Sequence, residues 1–317
     1  MHLVFDDSCT YQNLRLQELI TFSCINIQRV KSKLDIVEAE LGDRDVIMIT
    51  ETWLKPNVPN VSLSINNCKE PYRFDRIGDK IGGGVMIYVK SSIPSKRRWD
   101  LEVPTLECVW VELTVHNNKI LLRLFYRPPD SNVLIWDLIN QSFENAVNTR
   151  IDKIMVMVDF NDNQLIAGPS HLKDIIVQNG LYQAISEPTY FCENSSSLLD
   201  PLIVNNKDIL TYHEVGENIL EANVRYHCPV HGILNIQKVK NTVFRRRVWD
   251  YEKGNYDQFC EDLGNVEWDI LIHESHLNDA VSIVSDEILK AAGNNIPNKF
   301  IVIRSEDPPW MNGAVRK

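Results

Sequence analysis

The residues from Lys153 to Asn163, K-I-M-V-M-V-D-F-N-D-N, decide the predicted fold. The five apolar residues Ile154 to Val158 are typical of a strand buried on both faces, and the chain turns polar at Asp159 and Asn161. A carboxylate that follows a core strand faces the crevice at the edge of a sheet, where ligands bind. The alternative is a strand followed by a turn that Asx side chains stabilise, without a chemical role.

Polar residues also stand at the ends of other predicted strands. The strand V-I-M-I runs into Glu51, and another strand ends in Y-R-P-P at Tyr126, where two prolines stop further pairing. Three more residues of this kind flank other apolar runs: Asn26, Asp200 and His227. These groups are the ones that metal-assisted phosphodiester hydrolysis needs, namely hard oxygen ligands for Mg²⁺, a base for water and donors to the developing charge.

The order of the strands and helices predicts the architecture. Several strands alternate with few helices between residues 22 and 236, which predicts an α/β fold, a two-layer sandwich of mixed sheets rather than a parallel doubly wound sheet. Residues 1–21 show no clear period and form an undetermined lead-in. From residue 237 to 317 helical periods dominate, and we predict a helical appendage there without a new sheet.

Composition excludes some classes of protein. The chain has 317 residues, of which 44% are hydrophobic and 24% charged, as in ordinary globular proteins. No apolar run approaches the roughly 18 to 20 residues of a membrane span, and the N-terminus lacks a signal pattern, so we expect no membrane or secretory address. Seven scattered cysteines without a C-x-x-C pair indicate free thiols in a reducing, intracellular compartment and argue against a cysteine zinc site.

The charge of the chain leaves its relation to nucleic acid open. A net charge of −10 has the wrong sign for a protein that coats nucleic acid, although one basic face remains compatible with it. Two short basic runs, Lys96 to Arg98 and Arg245 to Arg247, are either solvated faces or contacts to phosphate.

Other patterns have competing interpretations. Gly82 to Gly84 are typical of a phosphate loop, but no G-K-[ST] follows and a strand comes next, so we interpret them as a close backbone approach at a strand start. His227 and His231 stand four residues apart, but no second ligand pair completes a zinc site. We expect Trp53 to pack beneath the site rather than to stack on a base.

The ordered motifs resemble a known family. E-T-W-L, G-G-G-V-M-I-Y-V, Y-R-P-P, D-F-N, S-S-S-L-L-D and H-C-P-V follow one another within residues 22–236. This order resembles the endonuclease domain of non-LTR retrotransposons, jockey-like elements in particular. Such domains belong to the endonuclease/exonuclease/phosphatase superfamily, together with abasic-site endonucleases. The resemblance implies a four-layer α/β/β/α sandwich. The tail, with R-R-V-W-D-Y and D-P-P-W, resembles the connector to a reverse transcriptase, which is missing because no Y/F-x-D-D motif occurs.

The resemblance also implies a metal centre and a base. Glu51 would be the principal ligand of the metal, assisted by Asn26, with Mg²⁺ as the metal and Mn²⁺ as its substitute. Asp159 would orient and deprotonate the attacking water, and Asn161 would hold this water or the phosphate.

Further residues would contact the phosphate and the DNA. His227, polarised by Asp200, would contact the scissile phosphate and balance its charge, while Tyr126 would donate to a phosphate oxygen. The residues implied in weaker DNA contacts are Arg76, Arg127 and Ser197. The implied function is therefore a Mg²⁺-dependent endonuclease that nicks DNA and leaves 3′-hydroxyl ends, without a small-molecule cofactor, and the resemblance implies a nuclear location.

The chain departs from the family at several positions. Arg225 and Tyr226 replace a small hydroxyl and a carboxylate, Val158 replaces a glycine before D-F-N, and Gln28 replaces an arginine. Losing an anionic oxygen weakens a hard-cation site, and we expect the phenol and the branched side chain to crowd it. We therefore predict weak or absent nicking.

Two other functions remain as alternatives. The first is a catalytically inactive retrotransposon remnant that acts at most as a DNA- or protein-binding module. The second is a phosphodiesterase of the same fold with a phosphoinositide or sphingomyelin substrate, against which Y-R-P-P and D-P-P-W speak.

Overall fold

Apolar runs form the central strands of the computed structural model, which describes residues 18–76, 78, 81–116, 118–220, 225–238, 244–269 and 277–303. The strands are β1 (Leu19–Asn26), β2 (Val46–Thr50), β3 (Tyr72–Phe74), β4 (Val85–Val89), β5 (Ser95–Arg97), β6 (Glu107–Val115), β7 (Asn118–Tyr126), β8 (Ile154–Asp159), β9 (Tyr182–Gln183), β10 (Tyr190–Cys192), β11 (Ser195–Ser197), β12 (Leu202–Val204), β13 (Leu210–Val215), β14 (Arg225–His227), β15 (Val230–Gln237), β16 (Phe244–Trp249) and β17 (Asn298–Ile303). The helices are α1 (Leu34–Leu41), α2 (Ile135–Asn148), α3 (His171–Gln178), α4 (Tyr256–Gly264) and α5 (Leu277–Asn295). The chain divides into two compact units, 1–239 and 240–317.

Two six-stranded mixed sheets form the first unit. Their strand orders are β13-β15-β1-β2-β4-β3 and β5-β6-β7-β8-β12-β9. The sheets pack face to face, because alternate residues of their strands, such as Met48, Val111 and Met157, share one buried core cluster. A small sheet, β11-β10-β14, lies apart from both.

Helices cover the outer faces of the two sheets. On α2, Trp136, Ile139 and Phe143 recur at helical spacing and pack with β7 and β8. On α1, Val37 and Leu41 pack with β2 and β4. The layers are therefore α/β/β/α, and the predicted α/β sandwich of mixed sheets is confirmed.

Some expectations differ from the structure. The first strand begins at Leu19, inside the predicted lead-in, whose residues 1–17 lie outside the described residues. The expectation that 237–317 holds no new sheet is wrong, because β16 and β17 pair antiparallel there. Their partners are about 50 residues apart, so no hairpin turn marks them in the sequence. Gly293 lies inside α5 and does not end this helix.

Two further observations concern the class of protein. In the part of the chain that the structure describes, no helix combines the length and the apolar character that a membrane crossing needs. The six cysteines among the described residues are all free thiols, while Cys9 lies outside them.

Candidate active site

The strand register brings the polar strand ends to one rim. In the first sheet, β1 and β2 run parallel and Asn26 is opposite Thr50, so Glu51 follows directly at the end of β2. In the second sheet, β7 and β8 run parallel and Tyr126 is opposite Asp159. Because the carboxyl ends of parallel strands meet at one edge, each sheet contributes a carboxylate and a second polar group there.

Asp159 joins the two sheets. Its Oδ2 accepts a hydrogen bond of 2.8 Å from Nδ2 of Asn26, which lies 133 residues earlier and in the other sheet. Its Oδ1 accepts a bond of 3.1 Å from the backbone N–H of Asn161. Asn161 has a φ of 49°, a left-handed conformation that asparagine tolerates better than most residues. The turn after β8 therefore folds back onto its own carboxylate, which is 1% exposed.

His227 and Asp200 form a buried pair beside Asp159. β12 runs antiparallel to β8, with Leu202 opposite Met157, which brings Asp200 next to Asp159. Nδ1 of His227 lies 2.7 Å from Oδ2 of Asp200, and both side chains are more than nine-tenths buried. The ring of Tyr190 lies 4.8 Å from the imidazole, so the ring is fixed by packing as well as by the carboxylate.

Thr189 holds Asp200 in turn. Its hydroxyl donates to the same carboxylate oxygen, Oδ2, at 2.8 Å and accepts from the backbone N–H of Asp200 at 3.0 Å and of Leu199 at 3.2 Å. Thr189 is completely buried, so these are the partners of a hydroxyl that water does not reach. The sequence analysis missed this role. Its one signal is the E-P-T-Y motif that ends at Tyr190.

Burial and charge change the pKa values of two of these groups. Burial, together with the charge of Asp200, raises the pKa of Asp159 to about 7, although His227 and Asn26 act against this. For His227 burial lowers the pKa, but the charge and hydrogen bond of Asp200 outweigh it and raise the pKa to about 9. At neutral pH the imidazole is therefore a cation held between carboxylates.

Glu51 is held by its own set of donors on the same rim. Its Oε2 accepts a bond of 2.6 Å from the backbone N–H of Gly83 and another from Nε1 of Trp53. Burial and a hydrogen bond to Glu51 raise the pKa of the Tyr126 phenol, which stays protonated. Tyr126 therefore links Glu51 of the first sheet to the end of β7, opposite Asp159.

The three glycines before β4 permit this arrangement. Each has a positive φ, and a Cβ on Gly83 would come within 2.4 Å of Oε2 of Glu107. The chain therefore approaches its neighbours closely at the start of a strand, as predicted, and its backbone donates to carboxylates. Trp53 contributes its ring nitrogen to Glu51, while the guanidinium of Arg29 lies 4.9 Å from its ring centroid.

The oxygens on the rim suit a hard cation. Ligand atoms of Asp159, Asp200 and His227 all lie within 4.8 Å of one another, but a protonated imidazole has no lone pair for a metal. Oδ1 of Asn26, by contrast, is buried without a hydrogen-bond partner, while Nδ2 of the same amide is bound to Asp159. A buried acceptor oxygen that has no hydrogen-bond partner and lies beside carboxylates is available as a ligand of Mg²⁺. Carboxylate and amide oxygens of this kind fit the ion implied by the sequence resemblance.

The three weaker candidates have other contacts. Arg76 donates from Nε to Glu107 at 2.6 Å and from Nη1 to the carbonyl of Ile81 at 3.3 Å, with little exposure. The guanidinium of Arg127 lies 4.9 Å from the ring centroid of Trp136. The carbonyl of Ser197 accepts from the backbone N–H of Thr189 at 2.9 Å. Their contacts with DNA stay predictions.

The expected crowding by Val158 and Tyr226 is wrong. Side chains alternate along a strand, so Val158 faces the outer core with Phe125, opposite to Asp159. The ring of Tyr226 stacks on Phe191 at 5.5 Å, while the neighbouring His227 contacts Tyr190. Neither side chain enters the rim. The sequence nevertheless lacks the family's carboxylate at position 226.

Glu107 is a second residue that the sequence analysis missed. Its two oxygens accept from Arg76 at 2.6 Å and from the backbone N–H of Gly84 at 2.7 Å. The Arg76 guanidinium in turn lies 5.5 Å from the ring centroid of Tyr126. Glu107 thereby connects the glycine turn to the phenol, and nothing in its sequence context, an ordinary strand start, distinguishes it.

Comparisons with known proteins concern the fold. No protein-family model and no curated protein sequence matches the chain. Among solved structures, the endonuclease domain of TRAS1, a telomere-specific non-LTR retrotransposon, covers 69% of this chain and 100% of its own, with a TM-score of 0.55 and 16% identity. The abasic-site (AP) endonuclease LMAP of Leishmania major covers 73% and 92%, with a TM-score of 0.54 and 11% identity. An AP endonuclease of Archaeoglobus fulgidus covers 69% and 100%, with a TM-score of 0.50 and 13% identity. The predicted resemblance is confirmed at the level of the endonuclease/exonuclease/phosphatase fold.

Proposed function

We propose that the chain is a metal-dependent DNA endonuclease that hydrolyses a phosphodiester bond and leaves a 3′-hydroxyl end. The observation that carries this proposal is the hydrogen bond between Asn26 and Asp159, which ties the ends of the two sheets into one buried, carboxylate-rich rim. The names of the three similar structures support it, because each describes an endonuclease.

Glu51 and the unpartnered Oδ1 of Asn26 would hold the cation. Mg²⁺ is the proposed ion and Mn²⁺ its substitute, since both prefer the hard oxygens of carboxylates and amides. When bound, such an ion polarises the phosphate and stabilises the charge that develops on it. The bonds from Gly83 and Trp53 to Glu51 fix the orientation of the carboxylate beforehand.

The chain's own groups would perform the remaining steps. Asp159, with Asn26 and Asn161 bound to it, is oriented to accept a proton from the attacking water. His227, held by Asp200, would donate to a phosphate oxygen and balance its charge. Tyr126, which now bonds to Glu51, would turn its hydroxyl to the phosphate.

Plasmid relaxation tests the proposal. Purified protein is incubated with supercoiled DNA and Mg²⁺ or Mn²⁺, with a chelator as a blank, and nicked circles are quantified. We expect metal-dependent nicks that a DNA polymerase extends, which reports 3′-hydroxyl ends. Glu51→Gln should abolish them, whereas Glu102→Gln should not, because Glu102 pairs with Arg97 and does not contact the groups of the rim. Nicking that survives Glu51→Gln would refute the assigned site.

An impaired enzyme is the second candidate. The specific observation for it is Tyr226, whose ring stacks on Phe191 and offers the rim no anionic oxygen where the family has a carboxylate, whereas an aspartate has no ring to hold it on Phe191. Weak nicking that Tyr226→Asp increases, most at low Mg²⁺, would support impairment by the missing charge. If neither form nicks DNA but both bind it, the chain is an inactive remnant with a binding role. A DNA substrate also agrees with the nuclear location that the sequence resemblance implies.

A further inference from the structure

The two-stranded sheet of the second unit carries a concentrated positive charge. Its strands, F-R-R-R-V-W and N-K-F-I-V-I, contain four basic residues and no acidic residue. The whole chain, by contrast, has a net charge of −10, and the adjoining helix α4 carries Asp257, Glu261 and Asp262. Such a basic patch on an acidic protein marks a surface that complements a polyanion.

One face of this sheet combines an arginine with one exposed and one half-buried aromatic ring. Arg247 is directly opposite Phe300 in the ladder, and Trp249 lies two residues further along the same strand, so all three lie on one face. The guanidinium carbon of Arg247 is 5.1 Å from the ring centroid of Phe300 and 5.4 Å from that of Trp249. Phe300 is 61% exposed and Arg247 is exposed as well. We call these three residues the Arg–aromatic face.

The opposite face also holds a basic residue. Val248 and Ile301 lie there and are half-buried, while Lys299, which is directly opposite Val248, is exposed. Positive charge is therefore present on both faces, and the exposed ring of Phe300 beside Arg247 distinguishes the Arg–aromatic face. The charge around this ring indicates the kind of ligand that covers it.

The geometry of Arg247 leaves its hydrogen-bond donors available. A cation–π contact uses the flat face of a guanidinium, while its five N–H groups point outward from the edge. In the part of the chain that the structure describes, no carboxylate forms an ion pair with Arg247. The planar guanidinium, with its N–H groups along the edge, is well suited to bind a phosphate.

We propose that the Arg–aromatic face binds single-stranded nucleic acid, with a base stacked on Phe300 and a phosphate held by Arg247. Every base has a π-face that can stack on an aromatic ring, but in a duplex both faces are covered by neighbouring base pairs. A duplex would therefore contact this surface through phosphates alone. This binding site consists of residues of the second unit and does not depend on the chemistry of the rim.

Fluorescence anisotropy of the full chain tests this proposal. The probes are labelled oligothymidylate, labelled oligouridylate and a labelled duplex, with a chelator present to prevent cleavage. We expect Phe300→Ala to weaken single-strand binding about tenfold, because loss of one stacked base has roughly that effect. Arg247→Gln should weaken it and reduce the slope of log affinity against log salt by about 0.7. Duplex binding should change little with Phe300→Ala.

Control variants distinguish a loss of binding from a loss of folding. Phe300→Tyr keeps an aromatic ring and should retain binding. Tyr182→Ala is the matched control, because Tyr182 is 46% exposed and the Nζ of Lys207 lies 5.1 Å from its ring centroid, yet it belongs to the first unit. Losses confined to one of the two single strands would assign the ligand to DNA or to RNA. Unchanged single-strand binding in both Phe300→Ala and Arg247→Gln, or equal losses for strand and duplex, would overturn the proposal.

Discussion

An aspartate lies at each end of β8, but the two aspartates have different surroundings. Asp152 precedes the strand and is exposed, at the mouth of a cavity of about 810 Å³ that Arg150, Tyr182 and Lys207 also line. Asp159 ends the strand and is 1% exposed. The first end therefore carries solvated charges, and the second end carries buried ones.

The polar groups at the two ends also have different partners. At the first end, Asn205 satisfies the backbone, accepting from the N–H of Ile154 at 2.8 Å and donating to the carbonyl of Asp152 at 3.2 Å. At the second end, Asn26 donates to a carboxylate and leaves a buried oxygen without a partner. A buried charge lowers the stability of the fold unless a partner or a ligand compensates for it. We therefore expect the catalytic groups at the buried end.

Replacing the aspartate at one end of β8 or at the other should give the largest difference in nicking rate. Asp159→Asn removes the proposed base and should reduce plasmid nicking by about 100-fold or more, the usual contribution of a positioned proton acceptor. Asp152→Asn should leave the nicking rate unchanged, because its carboxylate is solvated. Initial rates of plasmid nicking, with thermal melting to verify folding, measure both. Equal losses from both variants would contradict the comparison.

Val158→Gly distinguishes the effect of position 158 on stability from its effect on the nicking rate. The side chain is fully buried in the outer core, so its removal should lower the free energy of unfolding by about 3 kcal/mol. It should not raise the nicking rate, although glycine is the family's residue. Urea unfolding and plasmid nicking provide the two readouts. Faster nicking by the glycine variant would restore the interpretation that valine crowds Asp159.

The pH dependence of stability should report the buried charges. The pKa of His227 is raised to about 9 in the folded chain, above the roughly 6.5 of an unfolded histidine, so its stabilising effect is complete below pH 6.5. It is lost as the pH rises through 9, by about 3 kcal/mol, since each unit of pKa difference corresponds to about 1.4 kcal/mol. The raised pKa of Asp159 acts in the same direction but mainly between pH 4 and 7.

The range above pH 7 separates the histidine from Asp159. Buried thiols such as Cys24, whose pKa is raised by burial, also lower the stability there, but they do so equally with and without His227. Urea unfolding of the natural chain and of His227→Gln at pH 7 and pH 9.5 measures the histidine's share, which is the part of the pH dependence that the variant should lose. His213→Gln is the matched control, because His213 is exposed and bonds to the backbone carbonyl of Ala184. An equal pH dependence in the natural chain and in His227→Gln would show that another group is responsible.

Thr189 should give the smallest effect. Thr189→Val keeps the shape but removes the donor to Asp200, which should lower nicking about tenfold, as loss of a residue that positions another usually does. Thr189→Ser should restore most of the rate. NMR titration adds a readout that packing alone would not change, since the pKa of His227 should shift in the valine variant and not in the serine variant. An unchanged pKa in both would limit Thr189 to packing.

The sequence predicted the strands and the rim because both follow from short-range patterns. Apolar runs that stop at Glu51, Tyr126 or Asp159 are visible in the chain, and the order of the motifs carried the resemblance. The hydrogen bond from Asn26 to Asp159 is not visible, because it spans two sheets and depends on how they pack. Thr189 was missed because a threonine in a turn motif has the same appearance whether or not it holds a carboxylate.

The errors have physical causes too. Val158 and Tyr226 differ from the family, but the face of the strand on which a residue lies decides what it contacts, and both side chains face away from the rim. The sheet formed by β16 and β17 was missed because helices lie between its strands in the sequence. Long-range pairing of this kind has no turn signal in the sequence.

Paramagnetic broadening by Mn²⁺ tests the central claim most directly, namely that the buried end of β8 and its neighbours form one metal-binding phosphodiesterase site. In ¹⁵N spectra of the full chain, we predict loss of the side-chain amide signals of Asn26 at low Mn²⁺, while those of Asn205 at the other end of β8 persist. Glu51→Gln should prevent the loss. Broadening that begins at Asn205, or that is the same with and without Glu51, would contradict the account.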